Sequence, residues 1–132
     1  MAIAAKAKQL SFEMPNKVGL MAEISAALSK SKINIISLFG IETGDLAIIM
    51  LITSDNAAAK KLLKKMGADA GAIDVVTIEM PNKPGEFSKV SDIIAQAGID
   101  IYTVMGTAGS ARNSTIVLKT SDDKKVLTLL NK

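Results

Sequence analysis

The chain contains neither cysteine nor histidine. No disulfide can form and no Cys/His zinc site can be assembled. Nucleophilic catalysis by cysteine and acid–base catalysis by histidine are excluded as well. Tryptophan is also absent, and aromatic residues make up 3% of the 132 positions. The core must therefore be built from aliphatic side chains and methionine, and stacking platforms for single-stranded nucleic acid are lacking. Charge of one sign is scarce too: 16 Lys and Arg face 13 Asp and Glu, a net charge of +3. The lysines are scattered, so there is no basic stripe to hold a nucleic acid. No run approaches the roughly 18 apolar residues of a membrane span. The opening residues Met1 to Lys6 do not form a signal peptide. These absences predict a cytoplasmic protein with no nucleic-acid partner, no membrane partner, no cofactor and no metal.

What is present is a substantial apolar fraction, 48% hydrophobic against 22% charged, enough to bury a core. It is arranged as a repeat. Glu13-Met14-Pro15-Asn16-Lys17-Val18-Gly19 returns 66 positions later as Glu79-Met80-Pro81-Asn82-Lys83-Pro84-Gly85. The same spacing aligns Ser25 with Ser91, Ile33 with Ile99, Ile35 with Ile101 and Gly40 with Gly106. Thr53-Ser54-Asp55 returns as Thr120-Ser121-Asp122, one residue later, which puts a single insertion after Gly106. Such register over separated segments marks a duplication. It predicts one unit over 1–74 and a second over 75–132.

Each copy reads the same way. Gln9 to Met14 alternates before a proline and predicts a strand. After the loop Asn16–Gly19, Leu20, Ile24, Ala27 and Leu28 fall at helical spacing. Ile33 to Phe39 and Leu46 to Thr53 predict two strands around the turn 42–45. Ser54 or Asp55 caps a second helix carrying Ala58, Leu62, Leu63 and Met66, which Gly67 closes. A short fourth strand is expected within 68–74. In the second copy, a strand ending at Met80 precedes a helix striped by Phe87, Val90, Ile94 and Ala97. Strands follow over 100–105 and 114–120, around a long hairpin over 106–113. The last helix carries Val126, Leu127 and Leu130, and the fourth strand of this copy is missing from the sequence. The order is β-α-β-β-α-β, the ferredoxin-like split βαβ unit, an α+β fold with an antiparallel sheet and helices on one face.

Met80-Pro81-Asn82-Lys83-Pro84-Gly85-Glu86, followed by Ala97-Gly98-Ile99-Asp100-Ile101, resembles the ACT domain. The first copy departs from that pattern at Val18, in place of the proline, and at Lys32, in place of the glycine. The chain is most similar to small tandem ACT proteins, in which strand four of one unit leads into strand one of the next. The resemblance implies a non-catalytic regulatory protein that binds a small molecule, an amino acid, at contacts between ACT modules.

The loop carries chemistry of its own. A glycine at a helix start lets backbone approach a ligand closely, and the unpaired N–H groups there attract an anion such as a carboxylate. Asn16 and Asn82 can hydrogen-bond an amine or a carboxylate, and Asn34 and Asp100 place polar groups at the start of an apolar strand. Tyr102 adds a hydroxyl. From the loops and strand starts that ACT domains use, the expected ligand-binding set is Asn16, Lys17, Val18, Gly19, Leu20, Asn34 and Ile35. Its counterpart is Asn82, Lys83, Pro84, Gly85, Glu86, Asp100, Ile101 and Tyr102. The second copy is favoured for its closer motif and for the charge of Asp100. Beside this stand plainer readings: turn glycines, turn-capping asparagines and a solvent-facing Asp100. Gly106-Thr107-Ala108-Gly109-Ser110 lacks the Gly-Lys-Ser/Thr ending of a phosphate loop. The carboxylates form no evident catalytic pair, so an enzyme is not expected. The alternative function is a partner-binding adaptor without a ligand. The uncovered edge of the second copy predicts cover by the other unit, by the N-terminal segment or by a second chain in a homodimer.

Overall fold

The computed structural model describes residues 2–107 and 112–131. Ala108 to Ala111, within the expected hairpin, lie outside the described residues. The element order is β1 (Ile3–Pro15), α1 (Leu20–Lys30), β2 (Ile35–Glu42), β3 (Leu46–Thr53), α2 (Asn56–Lys65) and β4 (Gly71–Pro81). It continues with α3 (Glu86–Gln96), β5 (Ile101–Thr107), β6 (Asn113–Thr120) and α4 (Asp123–Leu130). No helix among the described residues is long and apolar enough to cross a membrane.

The chain divides into two compact units. Lys8–Ile73 forms one, here the first unit. Asp74–Lys132 together with Met1–Ala7 forms the other, the second unit. In the first unit the strands lie in the order β2-β3-β1-β4. β1 pairs antiparallel with β3, Phe12 opposite Ile49, and β3 pairs antiparallel with β2, Gly40 opposite Ile49. In the second unit the order is β1-β4-β6-β5, with Ile78 opposite Ile116 and Gly106 opposite Ile116. Both are ferredoxin-like antiparallel sheets.

The strand expected within 68–74 and the strand expected to end at Met80 are one element, β4, and β1 likewise begins at Ile3, six residues before Gln9. The first part of each long strand serves one unit and the rest serves the other. The place of the missing fourth strand is taken by the N-terminal segment, one of the three covers expected. Ala4, buried in the core of the second unit, stands where Ala70 stands in the core of the first. The Asn131 amide clasps it: Nδ2 donates to the Ala4 carbonyl and Oδ1 accepts from the Ala4 N–H, both at 2.8 Å.

The helical stripes pack as their spacing requires. Leu20, Ile24 and Leu28 of α1, and Val90 and Ile94 of α3, are buried. Phe87 is not; it is 37% exposed, like its repeat counterpart Met21. Both lie one residue past the buried line, on the flank of the helix. Asp55 caps α2 through the Ala58 N–H at 3.1 Å, and Asp122 caps α4 through Lys125 N–H at the same distance.

Candidate functional site

Pro15 ends β1, and the Asn16 N–H donates to the Asp45 carbonyl at 2.8 Å, tying the loop to the β2–β3 turn. Leu20 N–H reaches back to the Lys17 carbonyl at 3.2 Å. Gly19, at the head of α1, has φ 88, a left-handed conformation that favours glycine, and no side chain caps the helix. The second unit repeats this. Asn82 N–H donates to the Arg112 carbonyl at 2.8 Å, and Gly85 heads α3 with φ 89 and no side-chain cap.

The two loops place their charges differently. In the first, Lys17 Nζ pairs with Glu23 Oε2 at 2.8 Å, so its charge is answered on the helix itself. Val18 is fully exposed. In the second, the helix opens with Glu86, where the first unit has Leu20. Its carboxylate is held by Lys89 at 2.8 Å, and that hydrogen bond lowers its pKa below the usual carboxylate value. Both helices thus carry a lysine-paired carboxylate in the first turn, Glu86 at the opening position of α3 and Glu23 three residues further along in α1.

Asn16, Lys17, Gly19 and Leu20 line an open cleft of about 340 Å³ with Met21, Ala22, Ala47 and Ile49. Its far wall is the end of β2, Gly40-Ile41-Glu42, which sequence reasoning did not single out. The signal available was the pairing of Gly40 with Gly106 in the repeat, two strand glycines without a turn to explain them. A second hollow of about 500 Å³, lined by Met14, Pro15, Lys17, Leu20, Glu23 and Met66, also borders this loop.

Asn34 and Ile35 are not brought to this cleft. The ladder pairs Pro15 with Leu46 and Glu42 with Ala47 at one end of the sheet, and Ile35 with Thr53 at the other. Eight residues of β2 separate them, roughly 25 Å. Asn34 and Ile35 line a shallow groove with Ser25, Ser29 and Lys32 instead. Asp100 and Ile101 sit at the same far end of the second unit, where Ile101 pairs with Thr120 and the Asp100 N–H donates to Ser121 Oγ at 2.9 Å. Asp100 is exposed, and Tyr102 is 60% exposed. Within one unit, therefore, the loop set and the strand-start set stay apart. Among the described residues, no three acidic groups converge into a metal site.

Two ferredoxin-like units, each with a glycine-headed loop opening its first helix, define a tandem of split βαβ modules. The chain belongs to the ACT domain family: residues 5–131 match the model of the ACT domain pair. No curated protein matches it in sequence. Among solved structures, a protein from Bacteroides thetaiotaomicron is similar at 33% identity with a TM-score of 0.88, over 96% of this chain and 88% of that one. The ligand-free regulatory subunit of aspartate kinase from Thermus thermophilus is similar in fold, with 14% identity and a TM-score of 0.69, over 96% of this chain and 93% of that one. E. coli aspartokinase III, solved with lysine and aspartate, is similar in fold at 12% identity and a TM-score of 0.59, over 97% of this chain and 31% of that one.

Proposed function

We propose that this chain is a non-catalytic regulatory protein that binds an amino acid at the Asn16–Leu20 loop of the first unit. The observation that carries this is the cleft itself: four residues of the expected set share one cavity with an uncapped helix start. Unpaired amides there favour a carboxylate. Likeness in fold to a kinase solved with lysine and aspartate supports the ligand class. The second loop is the weaker candidate despite its closer motif, because Glu86 takes the opening position of the helix, where the first unit has Leu20, and repels a carboxylate there. Asn34, Ile35, Asp100, Ile101 and Tyr102 take part where a neighbouring module brings its strand start to the loop. A ligand that binds only the folded state stabilises it, by about 2.7 kcal/mol at a hundred times its dissociation constant. A thermal-shift screen of the twenty amino acids should therefore raise the melting temperature with a small subset. No shift with any of them would leave the adaptor reading in the lead.

The adaptor reading has an observation of its own. The outermost strand of the first unit, β2, exposes Ile36, Leu38, Phe39 and Ile41, and β5 exposes Tyr102 and Val104. Exposed apolar rows of this kind mark association surfaces. We propose two-fold association through β2. Sedimentation should give a dimer for the wild type and a monomer for Leu38→Asp; a monomeric wild type at high micromolar concentration rejects it.

A further inference from the structure

Gly40 is the sixth of the eight residues of β2, a position where a strand gains from a side chain, and its backbone is ordinary rather than left-handed. A Cβ built there meets nothing within 4 Å. Neither conformation nor packing within the chain requires glycine at this place, and glycine weakens a strand interior. The repeat counterpart behaves differently. At Gly106 a Cβ would collide with Ile116 Cδ1 and lie 3.2 Å from the Thr115 carbonyl, so the chain itself uses that space. The register is the same in both units, with Gly40 opposite Ile49 and Gly106 opposite Ile116. Ile116 fills the gap in the second unit, while in the first unit the gap stays open and forms the wall of the cleft at α1. A glycine that the fold does not need, beside an open cavity, marks a place where something else approaches the backbone.

The chemistry around the gap says what kind of group that is. The cleft floor and sides are aliphatic: Leu20, Met21, Ile41, Ala47 and Ile49. Glu42 is the one acid among its lining residues, and Lys17, the one base, is already paired with Glu23. An ammonium therefore finds a single acidic partner, at the end of β2. A second cation on the ligand would face an aliphatic wall with no further acid, and desolvating an unpaired charge there is unfavourable.

We infer that Gly40 and Glu42 form the second half of the ligand site, and that the ligand is an amino acid with an apolar side chain. This rests on the functional reading above. The carboxylate lies at the start of α1, the ammonium at Glu42, and the body of the ligand crosses β2 over the bare Cα of Gly40.

The test is calorimetric titration and thermal shift of the full chain with L-leucine, L-isoleucine, L-valine, L-methionine, L-lysine and L-aspartate. The expected result is binding of at least one apolar amino acid at least tenfold tighter than lysine or aspartate. Gly40→Val should abolish that binding while the ligand-free melting temperature stays equal or rises. Gly40→Ala, the smaller change, should weaken it at least threefold in a fold that is not destabilised. For the wild type, the deaminated analogue of the best binder (4-methylpentanoate for leucine) should bind at least tenfold more weakly, and Glu42→Gln should shrink that gap. Wild-type binding that survives both Gly40 variants unchanged overturns the inference and leaves the amino-acid reading standing. Preference for lysine or aspartate overturns the ligand class. Absence of binding by every amino acid overturns both.

Discussion

Lys32 holds a left-handed backbone, φ 59, at the place where the other repeat has Gly98, φ 73. That conformation costs a residue with a Cβ about 1–2 kcal/mol. Lys32→Gly should therefore stabilise the chain, by about 0.5–1 kcal/mol after the extra freedom glycine has when unfolded, and Gly98→Lys should destabilise it; urea titration of both variants checks the pair. Gly19 and Gly40 separate in the same way. Alanine at Gly19 meets no neighbour but inherits φ 88, so it should cost about 1 kcal/mol, whereas alanine at Gly40 should gain about 0.5–1 kcal/mol. Glu86 adds a pH effect. Its carboxyl is more acidic in the folded chain than in the unfolded one, chiefly through the Lys89 hydrogen bond. The stability it contributes is present above the unfolded value of about 4.3 and fades as pH falls through the lower, folded value. Lys89→Ala should flatten this acid limb by lowering stability slightly at neutral pH and leaving it unchanged below the folded value, a small effect because the Lys89 end of the pair is exposed to solvent and screened. Thermal melts between pH 2.5 and 7 would show it.

At the scale of the element, the helices carry the stability. Ile24 and Ile94 are 0% and 1% exposed, and their counterparts in the other repeat are Val90 and Leu28. Truncation of Ile24 or Ile94 to alanine should cost about 2–5 kcal/mol in chemical denaturation. These stripes were legible in the sequence because a 3.6-residue period projects one face of a helix onto the sheet without reference to anything distant. Phe87 was misread for a reason of the same kind. Period alone locates the face to within one residue, and a large aromatic on the flank fits the pattern as well as one on the line. Strand ends were read short at Gln9 and at Phe39. Pairing with a neighbour extends a strand past the point where its own alternation is convincing, as the ladder does for Ile41 and Glu42 against Ile48 and Ala47.

At the scale of the whole molecule, the second unit depends on residues at the other end of the chain. Removing residues 1–7 takes Ala4 from its core and leaves the outer edge of β4 uncovered. Hydrogen exchange should then lose protection in Val76 to Met80 and in α4, while amides of α1 and of Phe12 to Met14 keep theirs. Asn131→Ala should reproduce part of this, at about 1–3 kcal/mol, since it strips both the N–H and the carbonyl of Ala4 of their partner. Equal loss of protection in both units would mean that residues 1–7 are not specific to the second.

The duplication, the α+β class, the two glycine-headed loops and the helix faces are properties of local pattern, and the sequence by itself determined them. Spacing of identical residues and periodicity of apolar ones do not depend on what lies across the fold. Three features were decided by tertiary structure. Strand pairing between residues seventy positions apart made Ile3–Ala7 the fourth strand of the distant unit. The antiparallel ladder set Asn34 and Asp100 at the far end of the sheet from Gly19 and Gly85, although they follow the loops closely along the chain. Ile116 closed the space over Gly106, while the space over Gly40, opposite Ile49, stayed open. None of these leaves a local signature, because each depends on which segments meet, and contact between distant segments is chosen by the packing of the whole core.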